Sequence, residues 1–438
     1  MKLKFFILFL CAFTTDGIGR TDILRIPVTG ISRQEEQVNV LDFGVKADGV
    51  TDNTSRLSVL LKKYRKLYFP KGTYLIKYLK VDEADVQIVG AGIDQTIFRS
   101  TAKSNDHTLI LNSNAALSDL TIDGGGDRMP KPLRGDGASC LNISPDATQV
   151  KINRVKFINS YNKQVIVLGS SVIFNDCIFK GGTNTNRNID GVHVYGGVNK
   201  VGNVQINRCK FYNHIRAGVY TDLNVNGVSV NNAYFYNLDS NYEGGSAIIL
   251  QGGASNINII NNQFLGYKRG VIIRNGASDI IINNNKFNKI YSNGIFISTS
   301  SNLDRILRKE DVFVKYKMNV EKKSSGRFNY SFDNIQIGGN EITFAKFKGK
   351  ILEPRTASFI LVGGDANNIK TKFSNIKVSK CIVRNNIIGV KSFMFSIILG
   401  SDVLDGVSIL DCTKPNDLKM FDWYMDSKNR AINLQANN

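Results

Sequence analysis

A repeat of 24 to 27 residues runs through the middle of the chain and restricts its fold more than any other feature. Each repeat has a marker residue, usually Gly, followed by alternating apolar residues. By subtraction, the markers are 27, 27, 27, 27, 25 and 24 residues apart: Gly137, Gln164, Gly191, Gly218, Gly245, Gly270 and Gly294. Spacing of this size is typical of a solenoid, in which each coil buries its apolar face against its neighbours. The sequence therefore predicts stacked coils of short strands.

A second recurring unit places an Asn shortly before a Phe, as in 206–213 (INRCKFYN) and 282–287 (INNNKF). In stacked coils, the recurring Asn can form an amide ladder along the axis while the Phe rings stack in the core. Cys177 and Cys209 occupy matching places in two repeats. With an odd number of Cys after residue 19 and no CxxC pair, we expect stacked thiols rather than a disulfide or a zinc site.

Ahead of the repeats, residues 38–55 read VNVLDFGVKADGVTDNTS and residues 67–76 read LYFPKGTYLI. Between them Leu57, Val59, Leu60, Leu61 and Tyr64 recur at helical spacing, which predicts one apolar helix face. The two motifs resemble the opening module of pectate-lyase-superfamily proteins, which bind or cleave polysaccharides. The resemblance implies an all-β, single-stranded right-handed parallel β-helix, whose open first coil the helix Asn53–Lys66 would cap.

Four segments are expected along the chain. Residues 1–19 have a charged start and a short apolar core, as in a signal peptide, so we expect export to the periplasm or the medium. Residues 20–37 are a linker, and residues 38–414 form the β-helix, with regular coils from about 67 to 410. Residues 415–438 form a C-terminal cap. No later stretch is long and apolar enough to span a membrane.

The chain has 56 Lys plus Arg against 37 Asp plus Glu, a formal charge of +19. Such a balance favours a polyanionic partner, although a compositional bias toward Lys, Asn and Ile would give the same excess. Basic residues are spread along the chain without a nucleic-acid-binding motif, so we expect an acidic polysaccharide and no nucleic acid. Residues 300–334 break the repeat with eight Lys or Arg. They are either a basic wall beside the groove or a solvated loop.

Side chains alternate between the two faces of a strand. The first and third residues after each marker should point inward: Ala138 and Cys140, Val165 and Val167, Val192 and Val194, Val219 and Thr221, Ser246 and Ile248, Val271 and Ile273, Ile295 and Ile297. The second and fourth should then face outward, among them His193 and Tyr195, Tyr220 and Asp222, Ile272 and Arg274. This outer strip is the predicted groove, since stacked coils can follow an extended sugar chain.

One chemistry for the strip is hydrolysis. Residues 188–191 (NIDG) resemble the NTDG element of polygalacturonases, which implies a catalytic role for Asp190. The paired-Asp, GHG and RIK elements of that family are absent. Glycosidases need two carboxyl groups, and Asp190 lies two coils, or about 9.6 Å, from Glu243 and from Asp136. Glu243 is the first partner and Asp136 the reserve. Alternatively, Asp190 only caps the turn before Gly191.

The other chemistry is β-elimination, which needs a base and a cation that stabilises the enolate. His193 or Tyr220 would take the proton. Alternatively, these rings only stack on a solvated face. The predicted substrate-binding residues are Lys163, Tyr195, Arg216, Asp222, Lys268, Arg269 and Arg274. The calcium-binding carboxylates of pectate lyases are not evident, so no metal or cofactor is expected.

Together these features predict an exported protein that cleaves an acidic polysaccharide, with hydrolysis slightly favoured over elimination. A non-catalytic protein that binds or guides a polysaccharide is the alternative outside enzymology. Either a monomer or a trimer is compatible with the sequence.

Overall fold

The computed structural model describes residues 34–101, 106–128, 139–181, 190–197, 200–238, 245–299, 320–322, 328–347, 357–363, 371–385, 392–399, 403–425 and 431–436. Within them the strands pair in parallel, coil upon coil, apart from one antiparallel hairpin. The chain is a parallel β-helix, which confirms the predicted fold. The segments 1–19, Asp136 and Glu243 lie outside the described residues.

The first coil is covered by a 3-10 helix, Val40–Phe43, and an α-helix, Thr54–Lys63. Asn53 is the N-cap of the α-helix, and the carboxylate of the preceding Asp52 accepts a hydrogen bond from the Thr54 backbone N–H at 2.9 Å. Leu57, Leu60 and Leu61 are buried beneath it. The predicted end at Lys66 was wrong, since the strand already begins at Tyr64. Val59 was wrongly placed on the buried face: it is 66% exposed.

The strands of successive coils stack into three parallel rows along the axis. Two of these rows belong to one sheet of 25 described strands. Thr148–Ile158 runs through both rows, because its first half pairs with Ser170–Asn175 and its second half with Ile178–Lys180. The strands are Gln34–Asn39, Asp48–Asp52, Tyr64–Phe69, Gly72–Ile76, Gln87–Gly90, Thr96–Ser100, Ala116–Asp123, Thr148–Ile158, Ser170–Asn175, Ile178–Lys180, Val201–Asn207, Lys210–Tyr212, Val225–Asn231, Tyr234–Tyr236, Ser255–Ile260, Gln263–Leu265, Ser278–Asn283, Lys286–Ile290, Val320–Lys322, Phe328–Gly338, Glu341–Phe344, Thr371–Ser379, Ile382–Val383, Val403–Leu410 and Ala431–Ala436.

The third row is a separate sheet of twelve described strands, called here the groove sheet. Its strands are Leu79–Val81, Leu109–Leu111, Leu141–Ile143, Lys163–Val167, Asp190–Tyr195, Ala217–Asp222, Ser246–Leu250, Arg269–Arg274, Asn293–Ser298, Ala357–Gly363, Ser392–Leu399 and Lys419–Met425. All pairs in this sheet are parallel, so its outer face carries one side chain from each coil in straight columns.

The core confirms the predicted stacking. A phenylalanine column, Phe157, Phe179, Phe211, Phe235, Phe264 and Phe287, has successive ring centroids 5.1, 4.7, 4.5, 5.0 and 4.7 Å apart. Cys177 and Cys209 are buried free thiols, as expected.

The Asn triplet of residues 283–285 shows why this repeat prefers asparagine. An outer amide ladder, on the position equivalent to Asn283, links Asn153, Asn175, Asn207 and Asn231. Asn284 turns the corner between rows in the left-handed conformation, at φ 57°, which Asn tolerates better than most residues. Asn285 belongs to a buried ladder with Asn262 and Asn340.

The predicted register is partly wrong. Gly191 lies beside Gly218, because Val192 pairs with Val219, but Ala247 rather than Gly245 follows in that column, since Val219 pairs with Ile248. Ser246 therefore pairs with Ala217 and does not point inward as predicted. Earlier, Leu141 rather than Ala138 pairs with Val165. Connections of different length cause both slips, because only the paired strands, not the chain length between them, set the register.

Two further segments are described only in part, since residues 300–319 and 323–327 of the predicted basic insertion and residues 426–430 and 437–438 near the C-terminus lie outside the described residues. Within residues 300–334, Val320–Lys322 pairs antiparallel with the start of Phe328–Gly338, and the rest of that strand rejoins the coil beside Ser278–Asn283. Near the C-terminus, Lys419–Met425 and Ala431–Ala436 pair in parallel with preceding strands. The described part of 415–438 thus continues the coil.

Candidate active site

Gly191 explains how Asp190 and His193 reach the same face of the groove sheet. A side chain at Gly191 would meet the interior Phe211 ring, with its Cβ 2.9 Å from a ring carbon. Residues 191 and 192 both face inward, which shifts the inward/outward alternation of side chains by one residue. Asp190 therefore faces outward together with His193. The His193 Nδ1 lies 3.1 Å from an Asp190 carboxylate oxygen.

Asp190 is held as an ion. Arg216 donates from Nε to one carboxylate oxygen at 2.7 Å and from Nη2 to the other. Asp190 is 0% exposed. Burial would raise its pKa, but the charge and hydrogen bonds of Arg216, with a smaller contribution from His193, hold the pKa below its usual value. Because an ionised carboxylate only accepts hydrogen bonds, a hydrogen bond at this contact uses the N–H of His193 Nδ1, and Arg216 Nη2 lies 3.3 Å from the same nitrogen.

Tyr220 completes the group, called here the Asp190 cluster: Asp190, His193, Arg216 and Tyr220. It pairs with His193 across adjacent coils, and the ring centroids are 4.8 Å apart. The Arg216 guanidinium lies 4.3 Å from the centre of the Tyr220 ring. Burial raises the pKa of Tyr220 well above its usual value. At neutral pH the residue is a phenol, which can donate a proton or a hydrogen bond.

The cluster lies deep in the face. His193 and Tyr220 are 6% and 7% exposed, while the Arg216 side chain is 27% exposed. Tyr195 and Asp222, paired across the same two coils, are partly exposed at the neighbouring outward position. Arg216, Tyr195 and Asp222 therefore form the accessible edge of the cluster.

Asp222 differs electrostatically from Asp190. Burial raises the pKa of Asp222, and its hydrogen-bond partner is the neutral amide of Gln251, whose Nε2 is 3.4 Å away. The environments of the two carboxyl groups thus push their pKa values in opposite directions. Such divergence is common where two acids have different roles.

Of the remaining predicted binding residues, one lies on the neighbouring coil and three lie on later coils. Lys163 pairs with Asp190 and is buried, so it adds positive charge beside the cluster. Arg269 is three coils from Asp190 in the same column, where its guanidinium is 4.9 Å from the Phe296 ring centre. Arg274 ends the same strand, and Lys268 precedes it. The structure does not bring Lys268 and Arg269 to the cluster.

Beyond Tyr220 the outer face becomes apolar. Tyr220, Ile249, Ile272 and Phe296 follow one another in one column and pack together with Ala217, apart from the main core. The continuous polar strip predicted from the sequence is therefore confined to the earlier coils on this column.

Sequence reasoning missed a second polar group on this face. His107 Nδ1 lies 2.8 Å from the Ser139 hydroxyl, and the Asn142 amide donates to His107 Nε2 at 3.0 Å. Asn142 is two coils before His193 in the same column, and a polar residue at an outward position was the available signal. The third histidine, His214, is a core residue: burial lowers its pKa to about 4, and Nε2 contacts Gln164.

Among the residues described, no three His, Cys, Asp or Glu side chains are grouped so that they could hold a metal ion. In the same residues, no helix has the length and apolar character needed to cross a membrane.

Comparison with known proteins gives a consistent picture. Residues 37–246 match the family model described as rhamnogalacturonase A/epimerase, pectate lyase-like. A pre-neck appendage protein of Bacillus phage B103 is 30% identical over 133 residues, a match that spans 28% of this chain and only 16% of that protein.

Two solved structures share the fold at low identity. The A-module of a mannuronan C-5 epimerase from Azotobacter vinelandii is 16% identical, with a TM-score of 0.53 over 88% of this chain and 99% of the module. An exopolygalacturonase from Thermotoga maritima is 15% identical, with a TM-score of 0.55 over 84% of this chain and 93% of the enzyme. Together these structures show that the chain has the right-handed parallel β-helix fold, and residues 37–246 within it are similar to the pectate lyase-like family.

Proposed function

We propose that this protein is exported, binds an acidic polysaccharide along the outer face of the groove sheet and cleaves it by β-elimination. The observation that carries the proposal is the Asp190–His193 contact, which fixes the orientation of the imidazole beside Arg216 and Tyr220. A base held in this way, beside a cation and a neutral phenol, has the parts that elimination at a uronate requires. The relatives whose names refer to polysaccharides support the ligand class.

Each residue of the cluster has one role in the proposed reaction. His193 Nε2 takes the proton from the carbon next to the uronate carboxylate. Two of the five N–H groups of Arg216 bind Asp190, and others remain for the substrate carboxylate as negative charge develops there. The electron pair forms the carbon–carbon double bond as the glycosidic C–O bond breaks. Tyr220 gives its proton to the leaving oxygen and recovers one from solvent, and His193 releases the proton that it took to solvent.

The geometry supports elimination better than the hydrolysis that the sequence slightly favoured. Hydrolysis needs one carboxyl group that carries a proton. Asp190 is ionised, fully buried and engaged through both oxygens, so we assign it to positioning His193. Asp222, with its raised pKa, is the described carboxyl group on this edge that better suits an acid role.

Binding without cleavage is the second candidate. It is favoured by the depth of the Asp190 cluster, in which His193 and Tyr220 keep only 6% and 7% of their surface, and by the similarity to a phage appendage protein. In that case the paired charges stabilise the coils, and the accessible edge only holds the sugar chain. The oligomeric state, monomer or trimer, stays a prediction.

Product analysis on alginate and polygalacturonate distinguishes elimination, hydrolysis and binding without cleavage. Elimination produces both new reducing ends and the ultraviolet absorbance of an unsaturated uronate, whereas hydrolysis produces reducing ends alone. Binding without cleavage gives neither, while the protein still retards in a gel that contains the polymer. In every case added salt should weaken binding, because it screens exposed charges.

His193→Gln tests the assigned base. We expect the rate of unsaturated-product formation to fall on the order of 10²-fold or more. His107→Gln is the matched control, since that histidine also contacts two polar side chains, those of Ser139 and Asn142, and it should keep the rate. A His193→Gln protein that is folded and fully active would refute the assignment.

A further inference from the structure

Three tyrosines form a second feature, outside the groove sheet. Tyr212, Tyr234 and Tyr236 lie on two adjacent coils, and their ring centroids are 6.4, 6.0 and 6.3 Å apart. All three are partly exposed. We call them the tyrosine shelf.

The shelf belongs to the outer surface and not to the core. In the strands Lys210–Tyr212 and Tyr234–Tyr236, the central residues Phe211 and Phe235 point inward and are 0% exposed. The residues on either side must therefore point outward. The phenylalanine column already fills the interior here, so core packing does not explain three large aromatic side chains outside.

Lysines stand in the same outward columns. Lys180 pairs with Tyr212, and Lys210 pairs with Tyr234. Lys286 follows two coils after Tyr234. These three lysines are exposed. The surface thus combines aromatic rings with positive charge at the spacing of the coils.

The shelf is close to the candidate active site along the chain. Tyr212 is four residues before Arg216, which holds Asp190. Four residues span at most about 14 Å, and the strand containing Tyr212 leads directly to the groove-sheet strand Ala217–Asp222. A polymer that leaves the cluster past Arg216 therefore has the shelf within reach, around the edge of the coil.

We infer that the tyrosine shelf is a second polysaccharide-binding surface, where sugar rings stack on Tyr212 and Tyr234 and Lys180 and Lys210 bind uronate carboxylates. This inference rests on the acidic ligand class of the proposed function but not on cleavage. Aromatic faces supply rigid contact area for the C–H faces of sugars. A second copy of the chain is the other possible occupant. The lysine columns argue against it, because two identical faces of this kind would bring like charges together.

The test compares the double variant Tyr212→Ala/Tyr234→Ala with wild type in affinity electrophoresis on alginate and polygalacturonate, and in cleavage of short oligosaccharides of the same polymers. We expect affinity for the polymer to fall about tenfold, with the rate on short oligosaccharides unchanged. Tyr212→Phe/Tyr234→Phe keeps the rings and should keep the affinity. Tyr78→Ala, an exposed tyrosine in the first coils, is the surface control.

The outcomes separate the two proposals. If the alanine variant loses polymer affinity while His193→Gln leaves cleavage unchanged, the shelf stands and the proposed active site fails. If His193→Gln abolishes cleavage but the alanine variant binds like wild type, the shelf is refuted alone. Sedimentation of both proteins completes the test, because a smaller assembly in the alanine variant would mean that the shelf joins copies of the chain. If wild type binds neither polymer, the ligand class fails and both proposals fall.

Discussion

The interior phenylalanine column and the outer column that contains Asp190 are built on the same coils, yet they follow opposite rules. The interior column repeats one residue type on six successive coils. The outer column changes at almost every step: Lys163, Asp190, Ala217, Ser246, Arg269 and Asn293. In the interior column, each ring between the two ends packs between two other phenylalanine rings. In the outer column, each coil can carry a different side chain.

The difference shows where function can arise in a solenoid. Stability is approximately a sum of contacts between neighbouring coils, so the positions that make those contacts are constrained alike. Outward positions on the groove sheet are not constrained in this way, and there an imidazole and a phenol lie on two adjacent coils beside a guanidinium. The site is an exception to the repeat.

The largest stability effect should come from breaking the interior column. Phe235 is fully buried between Phe211 and Phe264. Phe235→Ala should destabilise the protein by about 3–5 kcal/mol, because it removes a ring and leaves a cavity. Chemical denaturation followed by circular dichroism measures this change in the free energy of unfolding. Tyr234→Ala, the outward neighbour in the same strand, should cost far less, and equal costs would contradict the inward assignment.

Asp190→Asn tests the buried charge in the outer column. It leaves Arg216 without its counter-charge and should cost about 3–5 kcal/mol at neutral pH. Asp176→Asn is the matched control. Asp176 makes a similar bidentate pair with Arg208, with Nε–Oδ1 at 2.9 Å, but in solvent. Its loss should cost no more than about 1 kcal/mol.

The pH dependence of the Asp190→Asn effect has a definite sign. The folded-state pKa of Asp190 lies below the ordinary 3.8, so its stabilisation is complete above that pH and is lost as pH falls toward the folded value. The stability gap between wild type and Asp190→Asn should therefore narrow below about pH 4. A gap that widens in acid would show that Asp190 is protonated in the native state.

The two amide ladders should show a smaller difference in stability loss between a buried and a half-buried asparagine. Asn285 donates to the Ile259 carbonyl at 2.9 Å and to Asn340 at 2.9 Å. Asn285→Ala leaves these buried acceptors unsatisfied and should cost about 1–3 kcal/mol. Asn207→Ala, in the half-buried outer ladder, should cost less, since water can replace the lost bonds. Denaturation midpoints of the two variants provide the comparison.

The smallest effect concerns the thiols and needs no mutation. A hydrogen bond from Cys381 lowers the pKa of half-buried Cys412 to about 7, although burial opposes this. Burial raises the pKa of Cys177. Iodoacetamide should label Cys412 in the folded protein, faster as pH rises from about 6 to 8. Cys177 should stay unlabelled until the protein unfolds. Mass spectrometry of the labelled peptides measures the labelling of each cysteine. Equal labelling of Cys412 and Cys177 in the folded protein would contradict the difference in their environments.

Much of the scaffold could be predicted because it depends on local patterns. The Asn-to-Phe spacing predicted the ladders and the ring column, and the opening motif predicted the capping helix. The helix end failed at Tyr64, where tertiary pairing with Gln87–Gly90 and Gln34–Asn39 makes the segment a strand. The register failed at Gly245, where a shift of two residues kept the apolar pattern and left no trace in the sequence.

For the site, the sequence predicted the adjacent-coil pair His193 and Tyr220 and the outward direction of both. It did not predict that Asp190 would be buried between Arg216 and His193, which is why we propose a positioning role for this carboxylate in place of the predicted acid or base role. His107, Ser139 and Asn142 were missed because they are brought together from separate coils.

The sequence by itself determined the stacked coil, its core and its cap, because those depend on period and on turn chemistry within one repeat. Only the tertiary structure decided which charges meet and which of them stay ionised. Those outcomes depend on the register between coils and on the burial that this register produces. The register in turn depends on connections whose length the repeat does not constrain.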